Sequence, residues 1–262
     1  MYNFEFKQPK TISEALNALK SDEAEALAGG QTLIPTMKQR LASPATLVSL
    51  SKISEMRGIC QNDDGSISTG GGTTHADVAA NSNIFPGLVT LAENIGDPAV
   101  RNRGTIGGSL ANNDPAACYP AAALSAGATI VTDSREISAD DFFQGMFETA
   151  LEESEIILSV RFPVPSLSSY QKFVQPASRF AMVGVFLSKF ENETRVAITG
   201  ASEEGVFRWK EAERALNEDF SEGSITDFVL EPSGMIGDIH ASKEYRAHLV
   251  KVMTKRAVKS AS

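Results

Sequence analysis

Two glycine pairs are the residues of this sequence best placed for chemistry: Gly29-Gly30 in LAGGQTLIP and Gly107-Gly108 in TIGGSLAN. Glycine reaches positive φ without steric cost and leaves no Cβ between its amide and an anion. Consecutive amides can therefore close into a concave nest around phosphate oxygens. Thr32 follows the first pair at a helix start, and the helix N-terminus would add its dipole to such a site. The common phosphate signatures are missing. Neither pair is followed by the Lys-Ser or Lys-Thr of a P-loop, and neither stands in GxGxxG with an acidic residue further on. No GxSxG nucleophile elbow occurs either. Nests on two separate loops point to a long, diphosphate-containing ligand gripped from two sides.

The remaining reactive residues exclude other chemistries. Cys60 and Cys118 are too few for an iron–sulfur cluster and form no CxxC pair. His75, His240 and His248 are scattered, without HxH or HExxH spacing, so no metal site is expected. A net charge of −9 argues against a nucleic-acid binder, which needs cationic residues to replace phosphate counterions. No apolar run reaches the roughly 18 residues of a membrane span, and MYNFEFKQPK lacks the basic start and apolar stretch of a signal peptide. The expected compartment is the cytoplasm, which includes a peripheral position on the inner face of the membrane.

The elements that must carry the glycine loops can be read from periodicity and caps. Residues 11–20 form an amphipathic helix with Thr11 as N-cap, Glu14 three residues on, and Ile12, Ala15, Leu16 and Leu19 on one face. A short strand over 26–28, the glycine turn, a helix from Leu33 with its early Pro35, and a strand over 45–50 complete an α–β–α–β unit. From Ile59 the texture changes to short strands, glycine-rich turns and helices near 76–81 and 88–95. A helix begins at Pro120, is closed by Gly127 and leads into a strand. The prolines of RFPVP end a further strand and mark a boundary near residue 165. Beyond it, SYQKFVQ, MVGVFLSKF and RVAITGA read as three antiparallel strands. AERALNEDF and SKEYRAHLVKVMTKRAV read as helices, the latter burying Tyr245, Leu249, Val252 and Met253.

AGGQTLIPTMKQRLASPATLVSL, GGGTTHADV, IGDPAVRNRGTIGGSLANNDPAACYPAA and DIHASKEYRAHL together resemble the FAD-binding medium subunit of the molybdenum hydroxylases, the carbon monoxide dehydrogenase and xanthine dehydrogenase family. The similarity covers essentially the whole chain. It implies an α+β fold: a two-lobed, PCMH-type FAD-binding domain followed by a C-terminal three-stranded antiparallel sheet with a helical bundle. The implied divisions are 1–55, 56–165 and 166–262. The resemblance gives Ala28, Gly29, Gly30, Gln31, Thr32, Leu33 and Ile34 as the loop that wraps the FAD diphosphate through backbone amides. Thr105, Ile106, Gly107, Gly108 and Ser109 form the second clasp, Ile95 and Gly96 line the flavin site, and Ile157 lies near the cofactor.

Two positions depart from the family pattern. Cys118 stands where relatives often carry Asp, and Val174 where they carry Lys, both polar contacts to FAD. Phe180 takes the place of a Tyr close to the isoalloxazine ring. Arg101 and Arg103 flank the second clasp, where positive charge would favour reduced flavin. His75 is expected to support its turn. The resemblance further implies two partners: a large subunit carrying the molybdenum cofactor and a small subunit with two 2Fe-2S clusters, assembled as a dimer of heterotrimers. The sequence also leaves open a self-contained FAD oxidoreductase, or a flavin-free scaffold that joins partners.

Overall fold

The computed structural model describes residues 1–81 and 84–261. The N-terminal part contains β1 (Glu5–Lys7), α1 (Ile12–Leu19), β2 (Ala24–Leu27), α2 (Leu33–Lys38) and β3 (Thr46–Ser49). Its three strands form a parallel sheet in the order β1-β3-β2. Thr11 caps α1 by accepting from the Glu14 amide at 3.2 Å, and the helix buries Ala15 and Leu19 with Val48, Ile53 and Met56. β1 is not visible in the sequence, because the three-residue edge strand EFK carries no alternating pattern.

The central part runs through β4 (Ile59–Gln61), β5 (Ile67–Gly70), α3 (His75–Ala79), α4 (Pro86–Glu93), α5 (Pro98–Arg101), α6 (Ile106–Asn112) and α7 (Tyr119–Ala126). It continues through β6 (Thr129–Thr132), β7 (Glu136–Ser138), α8 (Ala139–Phe142), the hairpin β8 (Phe143–Gly145) with β9 (Glu148–Thr149), and β10 (Ile157–Phe162). Five of these strands make an antiparallel sheet in the order β4-β5-β10-β6-β7. Every residue of α7 is buried, and Gly127 ends it in the left-handed region at φ 61°.

The C-terminal part holds β11 (Leu167–Val174), β12 (Ala181–Lys189), β13 (Thr194–Thr199), β14 (Phe207–Arg208), α9 (Lys210–Glu218) and α10 (Lys243–Ser260). The antiparallel sheet has the order β11-β12-β13-β14, so a two-residue fourth strand extends the expected three. Both faces of this sheet are covered, which is why β12 reads as a continuous apolar run. Tyr170, Phe186 and Ala197 join the core around α4 and α7. Val183, Val185, Leu187 and Val196 instead pack against α9 and α10. The C-terminal sheet and the central helices thus share one core. The buried face of α10 is Arg246, Leu249, Val250, Met253 and Ala257. Leu249 and Met253 are where the helical period puts them, whereas Tyr245 is 44% exposed and meets the Phe173 ring edge-to-face. Each fully buried aliphatic here contributes about 1.5–3 kcal/mol.

Candidate functional site

A cavity of about 690 Å³ opens where the N-terminal part, the central part and the C-terminal sheet meet. Of the residues singled out in the sequence, Ala28, Gly29, Gly30, Gln31, Thr32, Leu33, Ile95, Gly96, Thr105, Gly107, Gly108, Ser109, Cys118, Ile157 and Phe180 all line it. Segments far apart in the chain are therefore brought to one place. Ile34, Ile106 and Val174 do not line it. Ile106 is fully buried in the central core, and Ile34 lies behind the first loop, against the face of Gly30.

The first loop joins β2 to α2, with Gly30 at φ 71°. Among the described residues, none of the amides of residues 29–33 has an acceptor within the chain. Thr32 sits at the N-cap position of α2 but makes no side-chain cap, so that helix start is open as well. Five consecutive N–H groups at a helix N-terminus are a donor set that an anion satisfies.

The second loop is built differently. TIGGSLAN is itself a helix, α6 with Thr105 as its N-cap, which the glycine pair hides from sequence reading. Its first amides are already used: Ile106 donates to Thr73 O at 3.1 Å, Gly107 to Gly71 O at 2.9 Å and Ser109 to Thr105 O at 3.0 Å. Gly108 donates to Thr105 Oγ1 at 3.1 Å. Unlike those of residues 29–33, these four amides have acceptors within the chain. These glycines are needed for close packing, since a Cβ on Gly107 would lie 2.7 Å from Gly71 O. The same holds across the site, where a Cβ on Gly29 would lie 2.2 Å from Arg103 O. The two loops touch backbone to backbone, and the first alone keeps its donors free.

Around these loops the walls carry charges of both signs, with cations slightly in excess although the chain carries a net charge of −9. Arg57, Arg103, Lys172 and Arg179 line the cavity, as do Glu25, Asp114 and Glu155. Arg135 ion-pairs with Glu155 at 2.9 Å, and this pairing holds the Glu155 carboxyl down at about 2. Burial raises the Asp114 carboxyl, against a hydrogen bond it accepts from the Ala116 amide. Arg101 does not line the site; it donates to Ile95 O at 3.0 Å and so shapes the 95–96 turn.

A different lysine of the same strand, Lys172, faces the cavity two residues before Val174. Strand side chains alternate, and Lys172 lines the cavity with Nζ donating to Asn94 O at 2.9 Å, whereas Val174 is 43% exposed at the strand end. Cys118 is buried at the start of α7, next to Tyr119. Phe180 is 49% exposed at the rim rather than packed in the core. Lys172, Asp114 and Phe147 are lining residues that sequence reasoning missed; only Lys172 left a signal, its place in SYQKFVQ.

His75 opens α3 beneath the second loop, where a Cβ on Gly104 would come within 2.5 Å of its Nε2. The ring lies 5.2 Å from that of Tyr119, and Nδ1 has no partner among the described residues. Burial, reinforced by the Arg101 charge, moves its pKa from the ordinary 6.5 down to about 4. The unfolded chain takes up this proton first as pH falls. The stabilisation is therefore whole above pH 6.5 and is lost as pH drops towards 4. Denaturant unfolding of the chain should show about 3 kcal/mol lost across that window, and His75→Gln should remove most of the dependence. An equal slope in the variant would contradict the assignment.

Comparison with known proteins agrees with this geometry. Residues 2–165 match the family model described as the FAD binding domain in molybdopterin dehydrogenase. The chain is 31% identical to the carbon monoxide dehydrogenase medium chain of Hydrogenophaga pseudoflava, with 98% of this chain and 96% of that protein covered. It is 31% identical to the glyceraldehyde dehydrogenase medium chain of Sulfolobus acidocaldarius, covering 98% and 97% of the two chains. The solved structure of reconstituted CO dehydrogenase from Oligotropha carboxidovorans superposes with a TM-score of 0.90 at 29% identity, covering 98% of this chain and 97% of that one. With free amides in a cavity built mostly from the matched segment, this chain belongs to the family of FAD-binding domains of molybdopterin dehydrogenases.

Proposed function

We propose that this chain is the FAD-carrying electron-transfer subunit of a molybdenum hydroxylase assembly, of the carbon monoxide dehydrogenase type. In this reading, substrate is oxidised at a molybdenum cofactor in a large subunit, and two 2Fe-2S clusters in a small subunit lie between that centre and this chain. The assembly is a dimer of such heterotrimers, the chain is cytoplasmic, and its working divisions are 1–55, 56–165 and 166–262. No helix among the described residues is long and apolar enough to cross a membrane. The observation that carries the reading is the run of unpaired amides at 29–33 in the wall of the cavity.

When bound, FAD supplies a carrier that takes electrons singly and hands on two at once. The chain's own residues supply position and charge. Amides 29–33 receive the diphosphate, the second loop backs them by contact at Gly29, and Lys172 and Arg179 set a positive wall at the C-terminal sheet. Lys172→Met is expected to weaken FAD binding about tenfold, the scale of one charge-assisted contact, while Val174→Ala stays within about twofold. Titration of flavin-free chain with FAD checks both; equal effects would return the role to Val174.

The functional reading is tested in the purified assembly with both partner subunits. Adding substrate should bleach the flavin absorption along with that of the clusters. An assembly whose clusters are reduced while its flavin stays oxidised, or one holding no flavin, would contradict it.

A further inference from the structure

A strained aromatic residue at the cavity rim is left mostly exposed by the fold. Phe147 is the second residue of the two-residue turn between β8 and β9, and its backbone lies in the left-handed region at φ 59°. Tight turns place Gly or Asn at such a position, and a bulky side chain there costs free energy that surrounding structure must hold. The holding structure is specific. Asn113 is itself left-handed at φ 41° and only 2% exposed. Its Nδ2 donates to Gly145 O at 2.7 Å and to Glu148 O at 2.9 Å, one on each side of the turn. The Phe147 amide donates to Asn113 O at 3.0 Å. On its other side the turn lies against Gly205, whose Cβ position is 3.5 Å from the Gly145 carbonyl carbon.

This fixed turn presents a ring that is 61% exposed and lines the same cavity as Leu151, Ile156 and Ile157. Asn113 holds the backbone, but the ring itself, mostly exposed, gains little packing in the free chain, and the cavity it faces is where a flat partner can meet it. We infer that the Phe147 ring stacks on one of the two ring systems of bound FAD, a contact additional to the amides of residues 29–33. The inference rests on the reading of this cavity as the FAD site.

The test compares wild-type chain with Phe147→Gly, Phe147→Leu and Phe147→Tyr, each freed of flavin. Phe147→Gly relieves the backbone and should raise the Tm of flavin-free chain by about 2–4 °C while raising the Kd for FAD about tenfold. Phe147→Leu should lose a similar part of the affinity with little change in Tm, and Phe147→Tyr should keep both near wild type. Competition by ADP distinguishes the rings: if adenine is the stacked ring, ADP weakens in step with FAD, and if isoalloxazine is, only FAD weakens. An unchanged Kd in Phe147→Gly and Phe147→Leu overturns the inference, including the case in which those variants instead assemble poorly with partner subunits. A lowered Tm for Phe147→Gly also overturns it. Wild-type chain that takes up no FAD would overturn the FAD reading itself, a separate outcome.

Discussion

Gly29→Ala is expected to yield a folded chain that no longer holds FAD, with affinity lowered by about a hundredfold or more. The reason is the meeting of the two loops. The methyl group would lie 2.2 Å from Arg103 O and 2.7 Å from Gly104 Cα, both backbone atoms that cannot swing aside. Either the first loop moves off the second or residues 103–104 shift, and each response breaks the alignment of amides 29–33 with the rest of the cavity. Gly108→Ala should be milder, because its Cβ would meet Thr105 Oγ1 at 3.1 Å and Ala28 Cβ at 3.3 Å, contacts that small shifts relieve. Gln31→Ala and Thr32→Ala should change affinity least, since both side chains are exposed and the donors are backbone. Titration of flavin-free variants with FAD gives the order. Gly29→Ala with near-normal FAD content would show that loop contact does not shape the site.

Arg246→Ala is expected to cost about 2–4 kcal/mol of stability, the scale for leaving buried hydrogen-bonding groups without their donor and emptying the space of a buried side chain. Arg246 is 1% exposed and donates to Met182 O at 2.7 Å, Gly200 O at 2.8 Å and Asp238 Oδ2 at 2.6 Å. It thereby ties α10 to β12, to the turn after β13 and to the loop before the helix. Its Nε has no acceptor among the described residues, so the pair is not ideally compensated even in the native state. Truncation leaves two carbonyls and the Asp238 carboxylate without their donor. Because the C-terminal sheet shares a core with α4 and α7, the loss should appear in the unfolding of the whole chain and not as local fraying. A denaturant midpoint close to wild type would contradict this.

Much of the architecture was legible in the sequence, for physical reasons that differ by element. α1 announced itself through Thr11 and its apolar face, α7 through Pro120 and Gly127, and β12 through an uninterrupted apolar run. The glycine loops were legible as a pair and as a place. What they do was only half legible: Gly30 is a left-handed turn residue, as its type suggests, but Gly29 and Gly107 are glycines because another segment's backbone presses on them. That contact is tertiary and leaves no local mark. The same limit hid α6, whose two early glycines read as loop, and β1, which is too short to show a period. At Lys172 and Val174 the strand was legible but which of its side chains faces the cavity was not, because the register irregularity between Phe173 and Val174 leaves no local mark.

The central claim is that residues 29–33 supply the free donors of the FAD site while the second loop supplies contact. Amide hydrogen exchange of the full chain with and without FAD tests it most directly. Amides 29–33 should exchange fast in flavin-free chain and slow markedly on adding FAD. Amides 106–109 should be slow in both states, because their acceptors are already in place. Exchange at 29–33 that is slow before FAD is added, or unchanged after it binds, would contradict the account.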